Sequence, residues 1–263
     1  MSGSVQFEAH GADGVARVRL VNPAKRNAID VAMWRELRRR FEDLQRMAAI
    51  EAPRAVIVGG ADGQFAAGGD IAEFVQFRFD EARLHDFHES TVAPALAAML
   101  DCDIPLVAQI DGACIGGGLE IAMCCDLRIA GESSRFGAPI AKLGFPMAPG
   151  ELEKLAALIG APVLREMLLE ARLIDAPRAW QLGLVHAVVA DADVASESQR
   201  RALRIAALAP QAARINKRTL RQIARGGPTP AERRAHFAYA DSADHREGIA
   251  AFLDKRAPTF GPG

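Results

Sequence analysis

The residues best suited to chemistry lie in two glycine tracts. The first is Phe65-Ala66-Ala67-Gly68-Gly69-Asp70-Ile71, and the second is Asp111-Gly112-Ala113-Cys114-Ile115-Gly116-Gly117-Gly118-Leu119-Glu120. Glycine lets a ligand approach the backbone because no Cβ stands in the way. If Asp70 caps a helix starting near Ile71, the N–H groups around Gly68 and Gly69 lie near its positive end. Consecutive glycines inside a helix cost about 1 kcal/mol each relative to alanine, so Gly116-Gly117-Gly118 suits a helix start better. First-turn N–H groups have no intrahelical acceptor and are free to donate outward. Glu120, one turn beyond Gly117, shares its helix face, and its side chain leans back towards the N-terminus. Together the tracts offer N–H donors for a developing oxyanion, with a carboxyl group beside them to move a proton. Each tract alone is also what an ordinary strand-to-helix turn looks like. Glu120 alone is equally a first-turn glutamate stabilising its helix dipole.

The elements that must position these tracts follow from periodicity. Val5–Ala9 and Val15–Leu20 alternate around Asp13-Gly14 and predict a hairpin. From Asp30 to Met47 the spacing of Met33, Leu37, Phe41 and Leu44 predicts a helix, with Arg38, Arg39 and Arg40 on its solvated side. Ala55–Val58 and Pro105–Ile110 are apolar runs expected as buried strands, one before each glycine tract. Between the tracts the sequence is of mixed helical character to Leu100. The second tract predicts a helix through about Cys125, followed by a strand at Leu127–Ala130. Alternating strands and helices argue an α/β fold. After Gly144 helices dominate: Glu151–Ile159, Pro162–Glu170, Pro177–Leu182 and most of Val194–Ala224, with one strand at Val185–Val189. The segment Asp241–Arg256 is amphipathic, with Ile249, Phe252 and Leu253 as its apolar side.

Composition narrows the function classes. The net charge of −1 offers no basic surface for nucleic acid or an anionic membrane. No apolar run approaches the ~18 residues of a membrane span, and the first ten residues lack the pattern of a secretory signal, so a cytoplasmic protein is expected. The four cysteines form no C-x-x-C pair with histidine nearby, so neither a metal nor a redox centre is expected. The glycine tracts match neither G-x-x-x-x-G-K-[ST] nor G-x-G-x-x-G, and no G-x-S-x-G or H-E-x-x-H occurs.

At this point the sequence resembles the crotonase superfamily, the enoyl-CoA hydratase/isomerase family. Both glycine tracts are similar to its oxyanion-loop motifs. The resemblance extends to Asn22-Pro23-Ala24-Lys25-Arg26-Asn27-Ala28, Phe136-Gly137-Ala138-Pro139, Ala179–Val185 and Glu247–Arg256, nearly the whole chain in family order. It implies a spiral of ββα units, with residues 1–200 as the α/β core and residues 201–263 as a helical region for oligomerisation and active-site closure. It implies that Gly69 and Gly117 donate the oxyanion N–H groups and that Glu120 is an acid–base group. It further implies that Lys25, Ala28, Ala67, Gly68, Asp70 and Ile71 line the coenzyme A site. No cofactor is implied beyond coenzyme A as part of the substrate, and a homotrimer or homohexamer is expected.

The departures from the family pattern are specific. Family hydratases carry a second glutamate directly after the F-G-x-P stretch, where this chain has Ile140. The frequent lysine after the first loop is replaced by Ala72 and Glu73, which leaves Lys255, Arg256 or Lys217 to hold the 3′-phosphate. His85, His88 and Glu151 are the other protic residues that could approach the acyl group. The implied reaction is hydration of an enoyl-CoA thioester through a stabilised enolate. Isomerisation, acyl-CoA hydrolysis, decarboxylation and non-catalytic acyl-CoA binding are the alternatives.

Overall fold

The computed structural model describes residues 2–261. Its strands are β1 (Ser4–Glu8), β2 (Val15–Val21), β3 (Ala55–Gly60), β4 (Leu106–Ile110), β5 (Ala113–Ile115), β6 (Leu127–Gly131), β7 (Arg135–Gly137), β8 (Ile174–Asp175) and β9 (Ala187–Val189). The helices are α1 (Val31–Arg46), α2 (Ile71–Phe74), α3 (Glu81–Asp86), α4 (Ala93–Asp101), α5 (Gly117–Met123) and α6 (Pro149–Ile159). They continue as α7 (Ala161–Leu169), α8 (Ala176–Gln181), α9 (Val194–Ala206), α10 (Pro210–Ala224), α11 (Pro230–Ala235) and α12 (Ala243–Leu253). A π-helical turn, Phe87–Val92, joins α3 to α4.

The hairpin predicted at the start forms, with β1 antiparallel to β2. Strands β3, β4, β6 and β9 then add in parallel, giving a six-stranded sheet in the order β1-β2-β3-β4-β6-β9. Such strands are covered on both faces, which is why β3 and β4 read as uninterrupted apolar runs. A second, three-stranded sheet has the order β5-β7-β8. The chain passes from the large sheet to the small one in β4–β5, before α5, and again in β6–β7. The ββα spiral expected from the resemblance is therefore the observed fold. The last predicted strand is shorter than expected, since only Ala187–Val189 pairs with β6.

Helix α1 anchors the first half of the core. Asp30 caps it by accepting the Met33 N–H at 2.8 Å, and Met33, Trp34, Leu37, Phe41 and Leu44 form the buried stripe. Each such side chain is worth about 2 kcal/mol of burial. The three arginines predicted to face solvent pair with Glu36, Glu42 and Asp43 along the same helix. On the other side of the large sheet α9 places Ala202 and Ala206 against Val15, Ile57, Val107 and Ile129.

The helical C-terminal region corrects two expectations. Lys217 cannot hold a phosphate from its place on α10, because its ammonium donates to the Ile104 carbonyl at 2.8 Å and pairs with Asp126 at 2.7 Å. Arg218 and Arg221 grip the buried Asp103 carboxylate beside it, so this row of cations fastens α10 to the core. Arg256 is likewise engaged, its guanidinium forked onto Glu247 at 2.6 and 2.8 Å. The apolar side of α12 forms as expected, but within one chain it points outward, with Phe252 82% and Leu253 72% exposed. Asp244 and Ala251 are the residues that α12 buries instead.

The feature that matters for the site is how the fold joins the glycine tracts. The Ala66 N–H donates to the Ala113 carbonyl at 2.8 Å, and the Ile115 N–H donates back to the Ala66 carbonyl at 3.0 Å. The first tract thereby becomes a one-residue strand beside β5. Gly118 allows this contact, because a Cβ there would lie 2.7 Å from the Ala66 carbonyl oxygen and 2.8 Å from the Ala66 methyl. Gly118→Ala is therefore expected to destabilise the fold by about 1–3 kcal/mol, the usual cost of overfilling a close contact. Urea unfolding should show a lower midpoint with unchanged slope.

Candidate active site

Three segments assemble the walls. The first tract is held from behind by residues 26–29: Ala67 N–H donates to the Arg26 carbonyl (3.0 Å), Ile29 N–H to the Gly68 carbonyl (2.7 Å), and Asp70 N–H to the Ile29 carbonyl (2.9 Å). Asn27, fully buried with φ 58°, ties this segment to the base of the tract. Its amide donates to the carbonyls of Ala61 and Gln64 and accepts from the Asn22 N–H. The second tract turns at Gly116, where φ is 50° and ψ is −119°, a conformation open to glycine alone without strain. A Cβ on Gly116 would sit 3.6 Å from the Gly68 Cα, so the two tracts abut.

Between them opens a cavity of about 320 Å³, lined by Ala67, Gly68 and Gly69 from the first tract and Ile115, Gly116, Gly117 and Glu120 from the second. Neither the Gly69 nor the Gly117 N–H donates to another group among the described residues. Side chains are excluded at both positions. A Cβ on Gly69 would meet Phe74 at 2.9 Å, and one on Gly117 would meet Trp34 at 2.8 Å. The wall can therefore present two bare N–H groups, with Trp34 and Phe74 packed close against them.

Carboxyl groups approach the same space from two helices. Glu120, on the first turn of α5, is buried and lines the cavity. Burial holds its carboxyl well above the usual carboxylate range, and the neighbouring charge of Glu151 pushes in the same direction against Arg78 and Lys154. Glu151, on the first turn of α6, is also buried and accepts a 2.6 Å hydrogen bond from His88 Nδ1. His88 lies on the π-helical turn, an irregularity that recurs at functional sites because it redirects side chains. A carboxyl of raised proton affinity and a second carboxyl bonded to imidazole thus share one pocket.

The residues expected from sequence divide clearly. Gly69, Gly117, Glu120, Ala67, Gly68 and Ile71 line the cavity, as do His88 and Glu151. Lys25, Ala28 and Asp70 do not line it. Asp70 caps α2 by accepting the Ala72 N–H at 3.1 Å, and its other oxygen pairs with Lys25 at 2.5 Å. Ala28 is buried behind the first tract. His85 is exposed and lies outside the cavity, whereas Ile140 is part of its wall, so no carboxylate enters from that side. No cluster among the described residues could hold a metal ion. Several lining residues carry no signal in the sequence motifs, Trp34 and Arg78 among them. Trp34 was hidden inside a helical stripe that looked purely structural. Arg78 stands among Phe74, Phe77 and Phe79, an aromatic-rich stretch that was the available signal.

The raised affinity of Glu120 for its proton has a stability consequence. Unfolded, the group titrates near 4.5, and in the folded chain it titrates higher, so the folded state binds more protons between those values. Stability from this group is complete below pH 4.5 and falls as pH rises through the folded value. Each tenfold in proton affinity is worth about 1.4 kcal/mol. Glu120→Gln, neutral at every pH, should gain more stability over the parent chain at pH 8 than at pH 5, as read by urea unfolding at the two values.

Comparisons with known proteins agree with this architecture. The family model for enoyl-CoA hydratase/isomerase matches residues 10–262. A probable enoyl-CoA hydratase of Mycobacterium leprae is 32% identical over 94% of this chain and 96% of its own length. The 2,3-dehydroadipyl-CoA hydratase of Escherichia coli is 32% identical over 94% of each protein. The crystal structure of an enoyl-CoA hydratase/carnithine racemase from Magnetospirillum magneticum superposes with a TM-score of 0.92 at 36% identity, covering 98% of this chain and 96% of that one. Sequence and fold together make this chain an enzyme of the enoyl-CoA hydratase/isomerase family.

Proposed function

We propose that the enzyme adds water to a 2-enoyl-CoA thioester. The observation that carries this reading is the meeting of two free N–H groups and two carboxyl groups on one cavity. The thioester carbonyl oxygen accepts hydrogen bonds from Gly69 and Gly117. These strengthen as charge moves onto oxygen in the enolate-like transition state, and one such donor is worth about 2.7–4 kcal/mol where it has been removed elsewhere. The polarised double bond is then open to water at Cβ. Coenzyme A runs along Ala67, Gly68 and Ile71, with Ala28 and the Lys25–Asp70 pair supporting that side of the first tract.

Protons must leave the water and reach Cα. Glu151, oriented by His88, takes the water proton as the C–O bond forms at Cβ. Glu120, whose proton affinity burial raises, gives its proton to Cα as the enolate collapses to the thioester. Return of a proton from Glu151 to Glu120 resets the pair, and the sum is the addition of one water. This assigns to Glu151 and His88 the task that Ile140 cannot perform. Homologues named as hydratases support the choice of reaction.

The exposed apolar residues Leu220, Ile223, Phe237 and Phe252 on the C-terminal helices support assembly into a homotrimer or homohexamer. Four buried free thiols, which a reducing compartment leaves unpaired, support a cytoplasmic location. No helix of the described residues is long and apolar enough to cross a membrane.

Crotonyl-CoA turnover, followed by loss of enoyl absorbance, tests the reaction. Glu120→Gln is expected to lower kcat by about 10²–10⁴-fold, the range for loss of a general acid or base, with little change in KM. An unchanged rate removes Glu120 from the mechanism. Glu151→Gln and His88→Gln should each lower kcat, with the double variant no slower than Glu151→Gln alone, because the imidazole acts through that carboxyl. Conversion of a 3-enoyl-CoA with no hydration of crotonyl-CoA would instead establish the isomerase reaction.

A further inference from the structure

We propose that the acyl chain accepted by this cavity carries a carboxylate, and that the Arg78 guanidinium is the group that binds it. The proposal deepens the hydration reading and rests on it for the placement of the thioester end.

Arg78 lines the cavity together with Glu120 and Glu151. Its guanidinium lies 4.1 Å from the centroid of the Phe74 ring and 3.8 Å from that of Phe145, two rings inclined at 74° to each other. Contact with two aromatic faces fixes the guanidinium plane and strips water from its sides. Its donors are nevertheless unused. Nε is buried with no hydrogen-bond partner, and no nitrogen of the side chain donates to an acceptor or joins an ion pair among the described residues. A guanidinium offers five N–H groups in a rigid fork, and a carboxylate matches that fork with two parallel hydrogen bonds.

The nearby carboxyl groups do not meet this need. Both line the same cavity as Arg78, which marks it as close to the chemistry. Glu151 is engaged by His88 at 2.6 Å, and burial raises the affinity of Glu120 for its proton. The other flexible cation on the cavity wall, Lys142, adds positive charge on the same side of the balance. A cavity that is otherwise largely aromatic and aliphatic thus holds a fixed guanidinium lacking a bonded counter-ion. A coenzyme A phosphate offers similar chemistry, but Arg78 lines the cavity with Glu120 and Glu151, so the fork belongs to the acyl end.

The test compares two 2-enoyl-CoA substrates of equal chain length, one with a terminal carboxylate and one without. The parent enzyme is expected to favour the carboxylated substrate in kcat/KM by about tenfold or more, as sites built to bond a polar group discriminate strongly. In Arg78→Gln that preference should vanish, and Arg78→Lys should restore part of it. Repeating both with pantetheine thioesters, which lack the nucleotide phosphates, should leave the preference of the parent enzyme intact. The proposal is overturned if the parent enzyme shows no preference. It is overturned equally if Arg78→Gln slows both substrates in proportion, or if its effect disappears with the pantetheine thioesters. Should neither substrate be hydrated, the reaction assignment fails by itself. Calorimetry with saturated acyl-CoA ligands then decides Arg78: tighter binding of the carboxylated ligand that Arg78→Gln abolishes upholds its role, and equal binding refutes it.

Discussion

The pair of main-chain hydrogen bonds that join Ala66 to Ala113 and Ile115 is the constraint on which the site depends. It makes a loop behave as a strand at one residue, and so fixes two glycine tracts some fifty positions apart in sequence against each other. Side chains could not do this as well. A backbone contact at Ala66 and Gly118 leaves no rotamer to search, and it holds the tracts close enough for bare N–H groups to open on a shared space. The surrounding order serves this contact: Asn27 holds the segment behind the first tract, and the parallel strands β3 and β4 deliver the two tracts side by side.

Glycine is required here for two different physical reasons. At Gly68 and Gly116 the backbone adopts positive φ, where a Cβ would clash with its own chain. At Gly69 and Gly117 the conformation is ordinary, but a Cβ would strike Phe74 or Trp34. The aromatic side chains that exclude a Cβ also line the cavity beside these glycines. A hydrogen bond made in such surroundings is electrostatically stronger than one made in water, which is the advantage an oxyanion site draws on.

The same cavity governs the ionisable groups. Glu120, Glu151, His88 and Arg78 line one cavity and are wholly or partly buried, so their titrations are linked. Burial raises the proton affinity of Glu120, a hydrogen bond engages Glu151, and aromatic stacking restrains Arg78. With Ile140 in the wall, the second carboxyl group of the cavity is that of Glu151 on α6. Chemistry on this scaffold can be revised at one wall while the backbone contact at Ala66 stays as it is.

Local chemistry in the sequence determined the α/β pattern, the ββα family resemblance, the cap at Asp70, and the glycines and Glu120 that line the cavity. These were legible because glycine requirements, strand alternation and helix starts are properties of neighbouring residues. Tertiary structure alone decided the rest. His88 and Glu151 are 63 positions apart and meet only because a π-helical turn and the start of α6 face the same cavity. Lys217 reads as a surface cation until α10 docks it on Asp126, and Arg78 gains its setting only where Phe74 and Phe145 enclose it. A charge takes its character from what surrounds it in space, and that information is absent from the order of the residues.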